Sequence, residues 1–434
     1  MEWFLLALVV MLFLGVPVAY AIAVTSLAWV MLNFPVDAWS VAVQQTVSGA
    51  EKFILLAVPL FMLAGELMNA GGVTKRLVNF AEALVGRVHG GLAQVVVVTN
   101  MIMAGVSGAA IADAAAVGSM TIPAMIRKGY PRGFSAAINA AAATIGPVIP
   151  PSVGFLIYAS VVVVSPGQPS VTPEKLFLAG AVPGFLMGLY MIIACYILAR
   201  TGGFPRGERV SLGRLWRATK QAALALLMPV VILGGILGGI VTPTEAGVLA
   251  VLVALFVGAG VYREIKIRDL PGIFAKTAKR SAAIMFIIAC ANLFGWVMSY
   301  NNMAQRITAV FTGITTSPYL FLIIISLVAI LLGCFMEGGS IMIILTPLLC
   351  PVLEKYGVNL VQFGVIFQLT IMIGLLTPPV GILLFVITGV SGVEMQDILK
   401  SLWPFYLVLI LTLAVLIFVP EVSLWLPRLR YGGG

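Results

Sequence analysis

Two short stretches place prolines inside apolar runs, where they would free backbone oxygens for binding. The first reads Ile145-Gly-Pro-Val-Ile-Pro-Pro-Ser152 and the second reads Ile373-Gly-Leu-Leu-Thr-Pro-Pro-Val380. Proline has no N–H to donate and interrupts a helix, so carbonyl groups upstream of it lose their partners. Carbonyl and hydroxyl oxygens are hard ligands that suit a small cation such as sodium. The two stretches therefore raise the hypothesis of two cation sites.

The composition places these stretches in a membrane. Hydrophobic residues make up 61% of the 434 residues and charged residues 9%, with a mean hydropathy of +1.12. Apolar runs of about 20 residues, the length that crosses a hydrocarbon core, recur from end to end. Backbone polar groups at that depth need internal partners, which predicts helices. Residues 1–434 are therefore predicted to form a single all-α, polytopic membrane domain, with Trp3 to Leu32 as a first, retained helix.

Clusters of basic residues predict which ends of the spans face the cytoplasm, because such residues accumulate in cytoplasmic loops. The first cluster contains Arg200, Arg206, Arg209, Arg214, Arg217 and Lys220. The second contains Arg263, Lys266, Arg268, Lys276, Lys279 and Arg280. Residues 200–280 are accordingly predicted to hold basic cytoplasmic loops and scaffold helices.

Two segments are predicted to be re-entrant helical hairpins. Residues 90–127 are flanked by basic residues at both ends and are broken at Gly105-Val-Ser-Gly108, so they enter and leave on one face. Residues 318–355 have few basic flanks and are broken at Gly333-Cys-Phe-Met-Glu-Gly-Gly-Ser340, so they are expected to open to the other face. A full pair of spans is the alternative, and it needs more than roughly 37 residues. Each hairpin with its broken helix forms a unit, at 90–165 and 318–390.

A constant offset relates the two units. Seven Gly, Pro and Ile positions recur 228 residues later (333 minus 105): Gly105 on Gly333, Pro123 on Pro351, Gly129 on Gly357, Ile145 on Ile373, Gly146 on Gly374, and Pro150-Pro151 on Pro378-Pro379. Chance composition is the alternative, because glycine and proline are common here. Opposite flanking charges predict inverted repeats, and interrupted segments at corresponding positions of such repeats indicate the binding site of a secondary transporter.

The candidate cation ligands lie at the hairpin tips and helix breaks, and many would act through backbone carbonyls. For the first site they are Ser107, Gly108, Thr144, Gly146, Ile149, Pro150 and Ser152. For the second they are Met336, Glu337, Gly338, Gly339, Ser340, Gly374, Thr377, Pro378 and Val380.

An anionic substrate would meet the positive N-terminal ends of the half-helices at the two tips. No Lys or Arg lies near either break in the sequence, so amide and hydroxyl donors are expected to hold it. Among carboxylates in apolar surroundings, Asp113 and Glu337 are candidates for the ion or substrate path. A protonated or capped structural role is the alternative for both. Glu66 and Glu245 are expected to cap or brace scaffold helices.

Taken with these features, six motifs make the chain resemble the large, DctM- or SiaM-like membrane subunit of the TRAP (tripartite ATP-independent periplasmic) transporters. They are Val58-Pro-Leu-Phe-Met-Leu-Ala-Gly-Glu66, Gly105-Val-Ser-Gly-Ala-Ala-Ile-Ala-Asp113, Gly146-Pro-Val-Ile-Pro-Pro-Ser152, Thr242-Pro-Thr-Glu-Ala246, Met336-Glu-Gly-Gly-Ser340 and Leu376-Thr-Pro-Pro-Val-Gly381. The resemblance covers essentially the whole length.

The resemblance implies an ion-transporter-like elevator fold in a bacterial inner membrane. It implies sodium-coupled uptake of an organic acid, such as a dicarboxylate or sialic acid, without ATP. It also implies two partners: a small four-helix membrane subunit and a periplasmic substrate-binding protein. The chain begins directly with its first large-subunit helix, so the small subunit is expected to be a separate chain.

Three other functions compete with this one. A stand-alone sodium/carboxylate symporter would share the hairpins but need no binding protein. A channel would conduct without sodium coupling, whereas paired broken helices favour discrete occlusion. An enzyme is not expected, because the sequence has no His-Glu-x-x-His, Gly-x-Ser-x-Gly or P-loop motif.

Overall fold

A computed structural model describes residues 2–205 and 211–432, and this part of the chain is helical without any strand. By length and composition, seven of its helices could cross a membrane, or eight if the bent pair Gln305–Ile314 and Pro318–Gly333 forms one span. Arg206 and Arg209 of the first basic cluster lie outside the described residues.

Twenty α-helices make up the two halves of the described chain. The first half holds α1 (Glu2–Phe13), α2 (Val18–Asn33), α3 (Ser40–Ala50), α4 (Ala57–Ala70), α5 (Val73–Val85), α6 (Gly91–Ser107), α7 (Ala110–Arg127), α8 (Arg132–Ala143), α9 (Val153–Val161) and α10 (Pro173–Thr201). The second half holds α11 (Leu212–Leu237), α12 (Pro243–Leu255), α13 (Leu270–Tyr300), α14 (Met303–Ile314), α15 (Pro318–Gly333), α16 (Gly338–Lys355), α17 (Leu360–Leu376), α18 (Ile382–Ser391), α19 (Met395–Phe418) and α20 (Glu421–Tyr431).

One predicted boundary is wrong. The segment from Trp3 to Leu32 forms two helices, α1 and α2, because Gly15 takes a left-handed φ of +79° and Pro17 follows it. Much of the basic region 200–280 is helical, since α11 includes the basic residues from Arg214 to Lys220 and α13 those from Lys276 to Arg280. These charges therefore lie within helices, whereas Arg263, Lys266 and Arg268 lie in the segment between α12 and α13.

The helix order of the first half returns in the second at the offset of 228 residues. After that shift, α6, α7, α8 and α9 begin within one residue of α15, α16, α17 and α18. Each set is an apolar hairpin followed by a helix, a break and a shorter helix. The opposite orientation of the two sets in the membrane stays a prediction.

Each half supplies neighbours to the other in a reciprocal way. The short helix α9 packs against the hairpin arm α16, and its counterpart α18 packs against the hairpin arm α7. Likewise α8 packs against α19, and α17 packs against α10. The two broken segments are thereby enclosed by helices from both halves.

The helices that lead into the breaks form the core. All 17 residues of α17 are buried, and so are the ten residues from Phe134 to Ala143 in α8. Because these residues are buried inside the protein itself, other helices surround them on every side and lipid does not reach them. Both breaks therefore begin at the centre of the molecule.

The helices α15 and α17 cross in close contact at two glycines. A β-carbon on Gly374 would lie 2.7 Å from the Cα atom of Gly333, which is closer than real β-carbons approach other atoms. Because the obstructing atom belongs to the backbone, the contact cannot be relieved by a change of rotamer. The second hairpin is thus held directly on the helix that precedes the second break.

We expect Gly374→Ala to lower the midpoint of thermal unfolding, because overpacking a close contact costs about 1–3 kcal/mol. The midpoint can be measured by tryptophan fluorescence of the purified protein in detergent. Gly234→Ala in α11 is the matched control, since a β-carbon on Gly234 would have no neighbouring atom within 4 Å. Equal midpoints for the two variants would contradict the close crossing.

Candidate functional site

The tip of the first hairpin rests on the first helix break. The helix α6 ends at Ser107, and Gly108 takes a left-handed φ of +57° before α7 begins. A β-carbon on Gly108 would lie 2.5 Å from the carbonyl oxygen of Pro151. Glycine is required here both by the turn and by the contact. The predicted tip also included Gly105, but this residue lies inside α6 and packs against Pro229.

The first break, at residues 144–152, is nearly all buried and its hydroxyl groups already donate hydrogen bonds. The Thr144 hydroxyl donates to the carbonyl of Ala141 at 2.6 Å. The Ser152 hydroxyl donates to the carbonyl of Pro147 at 2.5 Å and accepts a bond from the Phe155 N–H at 3.3 Å, which caps α9. A hydroxyl oxygen that donates still carries acceptor lone pairs. Both oxygens can therefore also face a cation.

A buried carboxylate without a partner lies beside this break. Asp113 has no exposed surface, and neither of its carboxyl oxygens accepts a hydrogen bond of normal geometry from a described group. The Ser107 side chain is close enough to interact with it. A β-carbon on Gly146 would lie 2.5 Å from one Asp113 oxygen, so the carboxylate faces the backbone of the break. A buried carboxyl in this position needs a proton or a cation.

The second break also contacts its hairpin tip, but it is less buried. The N–H of Gly381 donates to the carbonyl of Cys334 at 3.0 Å, joining the end of the break to the tip. The Thr377 hydroxyl donates to the carbonyl of Ile373 at 2.7 Å. Pro378 is exposed, whereas the corresponding Pro150 is buried. The two predicted sites are therefore not equivalent in this conformation.

A cavity of about 310 Å³ lies where the two hairpin tips meet. Gly108 and the residues that start α7 line it from the first tip, and Glu337, with the residues that start α16, lines it from the second. Pro147 of the first break and Gln368 of α17 form another wall. Met62 of α4 and Arg280 of α13 also line it. Elements from both halves thus converge on one cavity.

One basic side chain lines the cavity, although no Lys or Arg lies near either break in the sequence. Arg280 lines the cavity together with Glu337, although the two residues are far apart in the sequence. Its guanidinium group bonds Glu66 at 2.7 Å, and the Lys276 ammonium bonds the other oxygen of Glu66, also at 2.7 Å. Glu66 thus joins α4 to α13, the bracing role expected for it. The cavity therefore has a cation, held by Glu66, on the side formed by α13.

Glu245 has the capping role that the sequence indicates. Its carboxylate accepts hydrogen bonds from the backbone N–H and the hydroxyl of Thr242 at 2.7 and 2.9 Å. The Thr242 hydroxyl in turn accepts from the backbone N–H of Glu245, which completes a capping box at the start of α12.

The predicted site residues fall into three groups around the cavity. Those that line it are Gly108, Glu337, Gly338 and Gly339. Those packed in or beside the first tip and break are Ser107, Thr144, Gly146, Ile149, Pro150, Ser152 and the nearby Asp113. Those in the second tip or break that do not line it are Met336, Ser340, Gly374, Thr377, Pro378 and Val380.

Sequence reasoning missed Gln368 as well as Arg280. Gln368 lies in the middle of α17, and its side-chain amide occupies the space that a β-carbon on Gly154 would need. A polar amide in a largely apolar helix is a usable signal for such a residue, although α17 also contains Gln362. Arg280 gives no such local signal, because it belongs to a run of basic residues in the first half of α13.

The family profile described as "Tripartite ATP-independent periplasmic transporter, DctM component" matches residues 5–422. The chain belongs to this family. It is 36% identical to the C4-dicarboxylate TRAP transporter large permease protein DctM of Rhodobacter capsulatus over 431 residues, or 97% of each chain. It is 35% identical to the sialic acid TRAP transporter large permease protein SiaM of Vibrio cholerae over 424 residues, or 98% of this chain and 97% of that one.

A solved structure has the same fold. The YdaH transporter of Alcanivorax borkumensis superposes with a TM-score of 0.65 at 15% sequence identity, covering 92% of this chain and 91% of that one. The predicted all-helical membrane fold and the DctM resemblance are thus confirmed. As a DctM component, the chain is a multi-pass transport protein of the bacterial inner membrane and not an enzyme.

We expect Glu66→Gln to lower the midpoint of thermal unfolding, because it removes the charge that holds Lys276 and Arg280. The Glu66 side chain is only 15% exposed, but its two partners are about half exposed. We therefore expect the free energy of unfolding to fall by about 1–2 kcal/mol, between the contributions typical of surface and of buried ion pairs. Glu394→Gln is the control, because Glu394 is exposed and forms no ion pair with a described residue. If both variants unfold with the wild-type midpoint, the brace contributes nothing to stability.

Proposed function

We propose that this DctM component carries out sodium-coupled uptake of an organic acid that a periplasmic binding protein delivers. The observation that carries the proposal is the cavity shared by both hairpin tips and the first break. In secondary transporters, interrupted helices at corresponding positions of two repeats hold the substrate and the coupling ion. A small four-helix membrane subunit would complete the tripartite assembly.

Sodium would bind between Asp113, the Ser107–Gly108 tip and the carbonyls of the first break. The support is the chemistry of the site: a buried carboxylate without a hydrogen-bond partner, with the backbone of the first break packed against it. Such hard oxygen donors suit a small cation. A cation here would neutralise the carboxylate and join the tip to the break. The second tip and break would form a further site, which requires Thr377 and its neighbours to become more enclosed.

The organic acid would bind in the cavity through Arg280 and the starts of α7 and α16. Ala110 and Ile111, and Gly338 and Gly339, bring the first turns of these helices to the cavity wall. Free amides at helix N-termini attract carboxylates, and an arginine fork can bind one in a bidentate manner. A volume of 310 Å³ is at the small end of ligand pockets. This favours a compact acid, and the relatives named for dicarboxylate and sialic acid transport make a carboxylate the first choice.

An elevator movement would carry the site across the membrane. The cavity has one wall on the braced helices α4 and α13 and the others on the hairpins and broken helices. A site at such a boundary could close when the hairpin-bearing part slides against the braced part. The two parts would then correspond to a transport domain and a scaffold.

Reconstituted transport tests the proposal. Liposomes would contain this chain with its small subunit, and uptake of labelled organic acids would be followed with and without an inward sodium gradient and the binding protein. Uptake that requires both supports the tripartite symporter. Uptake with sodium alone would assign the chain to the stand-alone symporters, and uptake independent of sodium would refute the coupling.

We expect Asp113→Asn to lower the initial rate of sodium-dependent uptake at least about tenfold. The isosteric amide keeps the packing but removes the negative charge that attracts the cation. The measurement is the initial uptake rate as a function of sodium concentration. Asp397→Asn is the control, because Asp397 is an exposed carboxylate in the first turn of α19. Wild-type sodium dependence in Asp113→Asn would exclude Asp113 from the ion site.

We expect Arg280→Gln to raise the substrate concentration needed for half-maximal uptake by at least about tenfold, because a charge-assisted bond to the carboxylate is lost. Lys276→Gln is a matched control: it removes the other partner of Glu66 but does not line the cavity. Similar effects in the two variants would show that Arg280 acts only by bracing Glu66. A selective effect in Arg280→Gln supports direct contact with the substrate.

A further inference from the structure

A second, strongly basic cavity lies away from the hairpins. Its volume is about 560 Å³, and it opens between α5, α11 and the segment that follows α12. Four cationic side chains line it: Lys75, Arg76, Arg217 and Lys220. The single carboxylate in its wall is Glu264, so the lining carries a net charge of +3 (four minus one).

Two of these cations have partners within the protein. The Arg76 guanidinium bonds Glu264 at 3.2 Å and stacks over the Tyr262 ring, 3.7 Å from its centroid. Tyr262 is held in turn by a hydrogen bond from its hydroxyl to the carbonyl of Gln221 at 2.9 Å. Arg217 donates to a backbone carbonyl of its own helix. The floor of the cavity is therefore fixed in shape.

The other two cations are available to an external anion. Lys75 and Lys220 are both exposed and form no ion pair with any residue in the described ranges. They project from two different helices, α5 and α11, onto the same space. An anion placed between them would be bound by both ammonium groups.

The cavity adjoins an exposed apolar surface of α11. Leu224 and Val261 line its inner edge. Beyond it, α11 presents Leu227 and Val231, which are 52% and 48% exposed. Only 28% of the most apolar 18-residue stretch of α11 is buried inside the protein. Most of this stretch therefore faces lipid or another membrane protein. A ligand that fills the basic cavity and also covers the adjoining apolar surface of α11 needs an anionic end and a long apolar end.

We propose that this cavity binds the phosphate head group of an anionic phospholipid of the cytoplasmic leaflet, with its acyl chains lying along α11. Basic pockets between transmembrane helices on the cytoplasmic side attract such head groups. The predicted topology puts Lys75 and Lys220 on that side. A soluble anion would use the charges but not the apolar surface. The proposal is independent of the transport function.

Native mass spectrometry of the purified full chain in a neutral detergent tests the assignment. Phosphatidylglycerol and phosphatidylcholine with the same acyl chains would be titrated separately. We expect the wild type to retain phosphatidylglycerol selectively. We expect Lys75→Gln/Lys220→Gln to bind it about 30-fold more weakly, since each lysine near an anionic head group contributes roughly fivefold. The single variants should each lose about fivefold, which provides a test that does not depend on the double variant folding.

The control is Lys279→Gln/Lys355→Gln, which removes two charges from exposed lysines outside the cavity. It should keep wild-type affinity. Equal affinity for the two lipids in the wild type, or equal losses in the two double variants, would overturn the proposal. Displacement of the lipid by an equal concentration of inorganic phosphate would also overturn it, because it would identify a general anion site.

Discussion

A backbone group inside a membrane must find its hydrogen-bond partner within the protein, and this constraint decides where the fold can interrupt a helix. Each break follows a helix that is buried in the protein: residues Phe134 to Ala143 of α8 before the first break, and all of α17 before the second. The freed groups then meet local partners: the Ser152 hydroxyl bonds the Pro147 carbonyl, and the Gly381 N–H bonds the Cys334 carbonyl. The reciprocal packing of the two halves supplies the surrounding protein. Without it, neither break would be stable at this depth.

The two halves share this arrangement of helices but differ in the polar groups at their breaks. At the first break the hairpin tip, the break and Asp113 are packed together, with the carboxylate against the backbone of Gly146. At the shifted position of Asp113 the second half has Ile341, and the second break is partly exposed. Its tip instead directs Glu337 towards the shared cavity. A common arrangement of helices thus supports two different sets of polar groups.

The order of the helices around the site could be predicted from local sequence, but its charged wall could not. Apolar runs with Gly and Pro at fixed positions define the hairpins and breaks, because those residues alter the backbone where they stand. The contact of Arg280 with the cavity depends on how the 31-residue helix α13 packs against α4 and α16. The residues next to Arg280 in the sequence do not indicate that its side chain reaches the cavity. Gln368 lies between the two cases, since an amide in an apolar helix can be noticed but its neighbour Gly154 cannot be identified without the fold.

The charges around the cavity give a physical reason for the proposed coupling of uptake to a cation. Lys276, Arg280, Glu66 and Glu337 sum to zero when ionised, and Asp113 adds one negative charge nearby. A carboxylate substrate would therefore add negative charge to a site that has no surplus positive charge to balance it. Burying uncompensated charge costs several kcal/mol or more. A bound carboxylate would therefore make the binding of a cation more favourable. By thermodynamic linkage, a bound cation would favour the carboxylate by the same coupling free energy. In the proposed mechanism sodium supplies this charge at the break beside Asp113, so that the hairpin closes with both ligands present and an occluded site with the substrate alone is disfavoured.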